Sequence, residues 1–193
     1  MKLLDDEFDE NGDLKRPDHT TFNVNLTSVV DTLKLGIHHI RKNPKGGSVV
    51  AIASASSFQR FPLCDYASAK AGVHGLVRGM WSEIGPQTEV PVRFNGIAPS
   101  WTITNLLDDG VATRAGLHLQ PAEAAARSAL LLMADEKRHG EMIFSQHGKY
   151  LELESHLLPA TEEILRSAPG EFPRTRTEAE DCKALYAQYL KEM

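Results

Sequence analysis

The chain has 193 residues, 41% hydrophobic and 24% charged, which suits one globular core of ordinary size. Its 26 acidic and 21 basic residues leave a net charge of −5, which argues against nucleic acid or an anionic membrane as partner. No apolar run approaches the roughly 20 residues of a membrane span, the acidic start "MKLLDDEFDENGDLKR" has no apolar signal core, and Cys64 and Cys182 make no disulfide framework. A reducing, cytoplasmic compartment is the expectation.

The first 17 residues are polar, broken by Gly12 and Pro17, and read as loop. A helix is predicted from about Asp18 to Lys42, on the recurrence of Leu26, Val29, Val30, Leu33, Ile37 and Ile40. "SVVAIASAS", residues 48 to 56, predicts a strand buried on both faces, as in a parallel sheet. Residues 58 to 64 connect it to a second helix, Asp65 to Ile84, which "GPQTE" stops. Val92 to Ala98 reads as a second strand ended by Pro99, and residues 100 to 119 as irregular. "PAEAAARSALLLMADE" predicts a third helix with Pro121 in its first turn, and "EMIFSQHG" a third strand. The alternation indicates an α/β fold around a parallel sheet. Residues 1–156 are expected to form that domain, and 157–193 a helical extension whose last helix is "TEAEDCKALYAQYLKEM".

Tyr66 and Lys70 stand four apart on the second helix, so their side chains share a face. An ammonium beside a phenol favours the phenolate and makes it usable in acid–base work. The pattern alone also fits a solvated pair on a helix surface. Ser54 lies twelve residues before Tyr66, where the first strand ends, and ligands of parallel sheets bind at the carboxyl ends of strands. Asn25 interrupts the apolar pattern of the first helix, where an asparagine is locally unfavourable. The glycine series Gly72, Gly75 and Gly79 reads as a close-packing helix face. None of the eight histidines has metal-ligand spacing, and no metal site is expected. Trp101 and the apolar residues of "LLDDGVATRAGLHL" either line a lipophilic pocket or simply pack.

Together these stretches resemble the short-chain dehydrogenase/reductase family, over residues from about 20 to 150. "VNLTSVV" is similar to the helix that carries the family's asparagine, "VVAIASAS" to the strand that delivers its serine, and "YASAKAGVHGLVRG" to its Tyr-x-x-x-Lys helix. "NGIAPSWTIT" is similar to the stretch that closes over the nicotinamide, and "GEMIFSQHGKYLELE" to the last strand. Within the family the likeness is to the 15-hydroxyprostaglandin dehydrogenase type, common among fungal proteins. The resemblance implies catalytic roles for Asn25, Ser54, Tyr66 and Lys70. Tyr66 would exchange the proton at the substrate oxygen, Lys70 would favour its phenolate and bind the nicotinamide ribose, Ser54 would bond the substrate oxygen, and Asn25 would hold a water. Tyr66, Lys70, Pro99, Ser100, Thr102 and Thr104 would meet NAD or NADP. The implied chemistry is hydride transfer on a small, apolar alcohol or ketone.

The sequence departs from the family pattern in three ways. The interval from Ser54 to Tyr66 is one residue shorter than usual, within "FPLCDY". Ser100 replaces the glycine after Pro99, which matters if that position needs a positive φ. No G-x-x-x-G-x-G or G-x-G-x-x-G occurs, so the phosphate-cradling turn of the family's first half is missing. The expectation is the last half of a doubly wound, Rossmann-like sheet, truncated by roughly three βα units. Its first strand would form a bare edge, and its helices at 18–42 and 65–84 would pair with a second copy or a full-length relative. Three functions fit: an NAD(P)-dependent oxidoreductase, a cofactor-free isomerase, cyclase or dehydratase using the same acid–base group, or a non-catalytic partner.

Overall fold

A computed structural model describes residues 3–87, 89–105, 107, 109–167 and 188. The chain forms two units, Met1–Leu151 and Glu152–Met193. Among the described residues no helix is long and apolar enough to cross a membrane. The "TEAEDCKALYAQYLKEM" segment lies outside the described residues apart from Gln188.

The first unit is α/β. Its strands are β1 (Gly47–Ile52), β2 (Val92–Pro99), β3 (Met142–Gln146) and β4 (Lys149–Glu152), in the spatial order β1-β2-β3-β4. β1 and β2 run parallel, with Gly47 opposite Val92 and Ile52 opposite Ile97. β2 and β3 are also parallel, with Gly96 opposite Met142 and Pro99 opposite Ser145. β4 follows β3 through His147 and Gly148, both at positive φ (51° and 72°), the dihedrals of a two-residue hairpin turn.

The first helical stretch combines α1 (Thr20–Phe22), a π-turn (Asn23–Thr27) and α2 (Ser28–Ile40). Further helices are α3 (Cys64–Gln87), α4 (Asp109–Arg114) and α5 (Ala122–Ala134), with α6 (Glu154–Ser167) in the second unit. Alternation along the strands divides the core between the sheet's two faces. Ile97 and Ile143 turn toward α5 and bury Leu132 between them, with Val50, Ala129 and Leu131 around. Burial of each of these large aliphatic side chains contributes about 2 kcal/mol. Gly96 points to the other face, where a Cβ would meet Val77 of α3 at 3.1 Å and Met142 closer still. Arg93 of β2 anchors the end of α5: its guanidinium donates to the carbonyls of Leu132, Met133, Asp135 and Arg138 at 2.8 to 3.3 Å. Those of Leu132 and Met133 are among the last-turn carbonyls that a helix end leaves without intrahelical partners.

Several expectations are corrected. Burial on both faces holds for β2 and fails for β1, where Ala51 alone is buried and Ile52 is 58% exposed. β1 is, as expected, the edge of the sheet, and among the described residues no strand pairs with its outer side. α3 continues through Pro86 to Gln87, because proline's φ is helical and its ring removes a single N–H. The 100–119 segment contains the six-residue α4. Only Gly72 of the glycine series makes a close approach: its Cβ would lie 2.9 Å from Leu26, whereas Gly75 and Gly79 face open space.

Candidate active site

Three of the candidate catalytic residues, Ser54, Tyr66 and Lys70, lie on the turn that follows β1 and on the helix packed against it. β1 stops at Ile52, and Ser54 caps a single 3-10 turn, Ala55–Ser57, with extended backbone (φ −165°, ψ 160°). Its Oγ accepts from the Ser56 N–H at 3.2 Å. That bond uses a lone pair and leaves the hydroxyl proton to donate elsewhere. The turn packs against α3, and the Ser57 hydroxyl sits 3.4 Å from Nδ1 of the buried His74. His74 thereby ties the turn carrying Ser54 to the helix carrying Tyr66.

Tyr66 lies in the first turn of α3, where its N–H donates to the buried Asp65 at 2.9 Å. Lys70 is one turn further, and its Nζ stands 5.7 Å from the centre of the Tyr66 ring. The same ammonium donates to the carbonyl of Ile52 at 3.0 Å. Lys70 thus joins the phenol to the carboxyl end of β1, two residues before Ser54. Burial disfavours the ammonium and pushes the Lys70 pKa down.

Asn25 sits inside the π-turn, where Ser28 N–H reaches back five residues to Asn23. Its Nδ2 donates to the Thr21 carbonyl at 3.1 Å. The local disfavour for asparagine thus becomes a widened turn, a feature frequent at functional sites. The π-turn packs on α3 at Leu26 and Gly72, and so stands beside the Tyr66 helix.

Past Pro99 the chain enters a pinned loop. Ser100 N–H donates to the Ser145 carbonyl at 2.8 Å, and Ser100 is not at positive φ, so its Cβ imposes no backbone strain. The Thr102 hydroxyl donates to the Ser100 carbonyl at 2.8 Å and accepts from Gln120 Nε2 at 3.2 Å. Thr104 pairs with Leu107 through both backbone bonds, at 3.1 and 3.2 Å. Gln120 is 1% exposed and also bonds Ser145 twice, Nε2 to its carbonyl at 3.0 Å and Oε1 from its hydroxyl at 3.2 Å.

Sequence reasoning missed three residues of this group. Gln120 and His74 carry no periodic or motif signal, because their partners are distant in the chain. Phe61 lay in a stretch read only as a connection. Its ring is 6.1 Å from that of Tyr66 and 5.8 Å from that of Trp101.

These residues fit one end of a nicotinamide dinucleotide. Lys70 offers an ammonium beside the phenol, and Thr102 retains a lone pair that suits a carboxamide N–H. They do not fit the pyrophosphate end. Among the described residues, the glycines at positive φ are Gly12, Gly46, Gly116, Gly140 and Gly148, and none of them turns a strand into a helix N-terminus.

The family model for short chain dehydrogenase matches residues 7–115. The short-chain dehydrogenase/reductase ascJ of Acremonium egyptiacum is 37% identical over 166 residues, covering 84% of this chain and 56% of that protein. The (-)-trans-carveol dehydrogenase of Rhodococcus erythropolis is 33% identical over 97 residues, 48% of this chain and 34% of that protein. Among solved structures, a putative 2-deoxy-d-gluconate 3-dehydrogenase from Agrobacterium tumefaciens, with bound NADP, aligns with a TM-score of 0.57 at 27% identity, covering 66% of this chain and 56% of that one. The chain therefore spans about half the length of the curated relatives it matches most extensively. With its motifs, its parallel sheet and these likenesses in agreement, the chain belongs to the short-chain dehydrogenase family.

Proposed function

We propose that Tyr66, Lys70, Ser54 and Asn25 form the proton-handling group of an NAD(P)-dependent oxidoreductase that interconverts a small, apolar secondary alcohol and its ketone. The observation that carries this reading is the position of Lys70, in contact with the Tyr66 ring and tied to the end of β1 beside Ser54. The nicotinamide supplies or accepts the hydride when bound. Ser54 donates its free hydroxyl proton to the substrate oxygen and orients it. In the reductive direction the Tyr66 hydroxyl gives its proton to that oxygen and is left as a phenolate. The Lys70 ammonium, poorly solvated and close by, stabilises that phenolate. Asn25 holds the water through which Tyr66 is reprotonated. The substrate oxygen thus gains one proton as its carbon gains the hydride, which balances the step. A relative named for a ring alcohol, trans-carveol, supports an apolar alcohol.

Titration with NADH and with NADPH tests the reading, followed by fluorescence or calorimetry. Saturable micromolar binding to this chain supports it and names the cofactor. A second reading draws on the absence of a positive-φ glycine cradle among the described residues. In it the same group performs cofactor-free acid–base chemistry, such as isomerisation, cyclisation or dehydration. That reading gains if neither cofactor binds while Tyr66→Phe abolishes turnover. Either activity is compatible with an oligomer, homomeric or with a longer relative, through the helices at 18–42 and 65–84. Supporting this, Val30, Leu33, Ile37, Leu76, Met80 and Ile84 line a groove of about 400 Å³ between α2 and α3. Recovery of a full-length relative with this chain, unaffected by Tyr66→Phe, favours a partner role.

A further inference from the structure

The segment between the Ser54 turn and α3 is a strap across the carboxyl ends of the strands. Phe58 sets its ring edge-on against Phe144 of β3, at 5.4 Å and 78°. Three residues later Phe61 places its ring between two others. One is Tyr66, tilted by 50°, and the other is Trp101 from the loop after β2, tilted by 44°. The two tilts turn the three rings into a bent apolar wall instead of a flat stack. Trp101 is 39% exposed, and two aliphatic neighbours in sequence, Leu63 and Ile103, are 57% and 38% exposed. Large apolar surface left open beside a reactive group marks a binding face.

We infer that Phe61 and Trp101 select the substrate's shape: the site takes an alicyclic secondary alcohol or its ketone in preference to an open-chain one of equal carbon number. The inference rests on the proposed role of Tyr66, because the substrate oxygen must reach that phenol. With the oxygen there, the carbon skeleton lies against the wall. An alicyclic ring presents several C–H bonds at once to two tilted aromatic faces. It also has few rotors to freeze, whereas a linear chain must give up many on being held against the same surface. Aromatic faces contribute beyond the area they bury, so removing one weakens the ring more than the chain. Phe61 is therefore a specificity-determining residue and takes no part in proton transfer.

The test is equilibrium binding, separate from turnover. The chain has two tryptophans, so Trp81→Phe leaves Trp101 as the reporter. Its fluorescence is titrated with trans-carveol and with 2-decanol, both ten-carbon alcohols, and saturation-transfer NMR on the unsubstituted chain repeats the comparison. The expected result is saturable binding of carveol, about five-fold or more tighter than 2-decanol. Phe61→Leu, which keeps an apolar side chain and removes the aromatic face, should abolish that preference. Equal affinity for the two alcohols, or a preference that survives both Phe61→Leu and Trp101→Leu, overturns the inference. If carveol is preferred but neither NADH nor NADPH binds, the wall stands and the oxidoreductase reading falls. If a cofactor binds but the alcohols are not distinguished, the reading stands and the wall falls.

Discussion

The two strand ends that frame the site are held in different ways. After β2, the Pro99–Thr104 loop is pinned by a buried amide: Gln120 bonds Thr102 and both polar groups of Ser145. At the end of β1, the edge strand, the fixing is a backbone bond from Ala53 N–H to the Ile97 carbonyl, the Lys70 ammonium on the Ile52 carbonyl, and a serine–histidine contact behind them. The loop is a satisfied network, which is costly to break in part. At the β1 corner the half-buried Lys70 ammonium both holds the strand end and faces the phenol.

The comparison can be broken from the catalytic side first. Tyr66→Phe should reduce turnover by about 10²- to 10⁴-fold. It should leave the melting temperature nearly unchanged, since the ring contacts with Phe61 and Lys70 remain. A large loss of stability would instead make Tyr66 a packing residue. Next in size is Gln120→Ala, which leaves the buried Ser145 hydroxyl without its acceptor and removes the donor to the half-buried Thr102 hydroxyl. Denaturant unfolding should show a loss of roughly 1–3 kcal/mol, and a loss near zero would show that the loop needs no pin.

Smaller effects sharpen the β1 corner. The Ser56 hydroxyl is buried and has no hydrogen-bond partner among the described residues. Ser56→Ala should be neutral or stabilise by up to about 1 kcal/mol, and a clear destabilisation in the same assay would reveal a partner. Lys70 supplies a pH test. Its folded pKa lies below its ordinary 10.5, so the unfolded chain binds more protons between the two values. Stability from this residue must therefore rise as pH climbs through the folded pKa toward 10.5, and be lower below that window. Urea unfolding across alkaline pH should show this slope in the parent and lose it in Lys70→Met. An identical profile in both chains would mean that the ammonium is fully solvated.

How much was legible in advance follows the range of the forces involved. The helix–strand alternation and the Tyr66–Lys70 pair rest on periods of a few residues, and both stand in the structure. Ser54 was legible as the residue at a strand's end, though its cap on the 3-10 turn was not. Asn25 was visible as a break in a pattern, and the structure resolves that break as a π-turn. The bare edge of β1 was legible and its open faces were not, because an apolar run describes a strand's composition and says nothing of what packs on it.

Local chemistry settled which side chains share a face, since a tyrosine and a lysine one helical turn apart meet wherever the helix goes. Folding alone decided what surrounds them. Gln120 reaches Ser145, 25 residues on, and Phe61 reaches Trp101 through space. Such contacts leave no period in the chain, because they depend on which strand ends lie side by side. The sheet order placed the β1 corner, the strap and the loop together, and so turned a Tyr–Lys pair into a walled site.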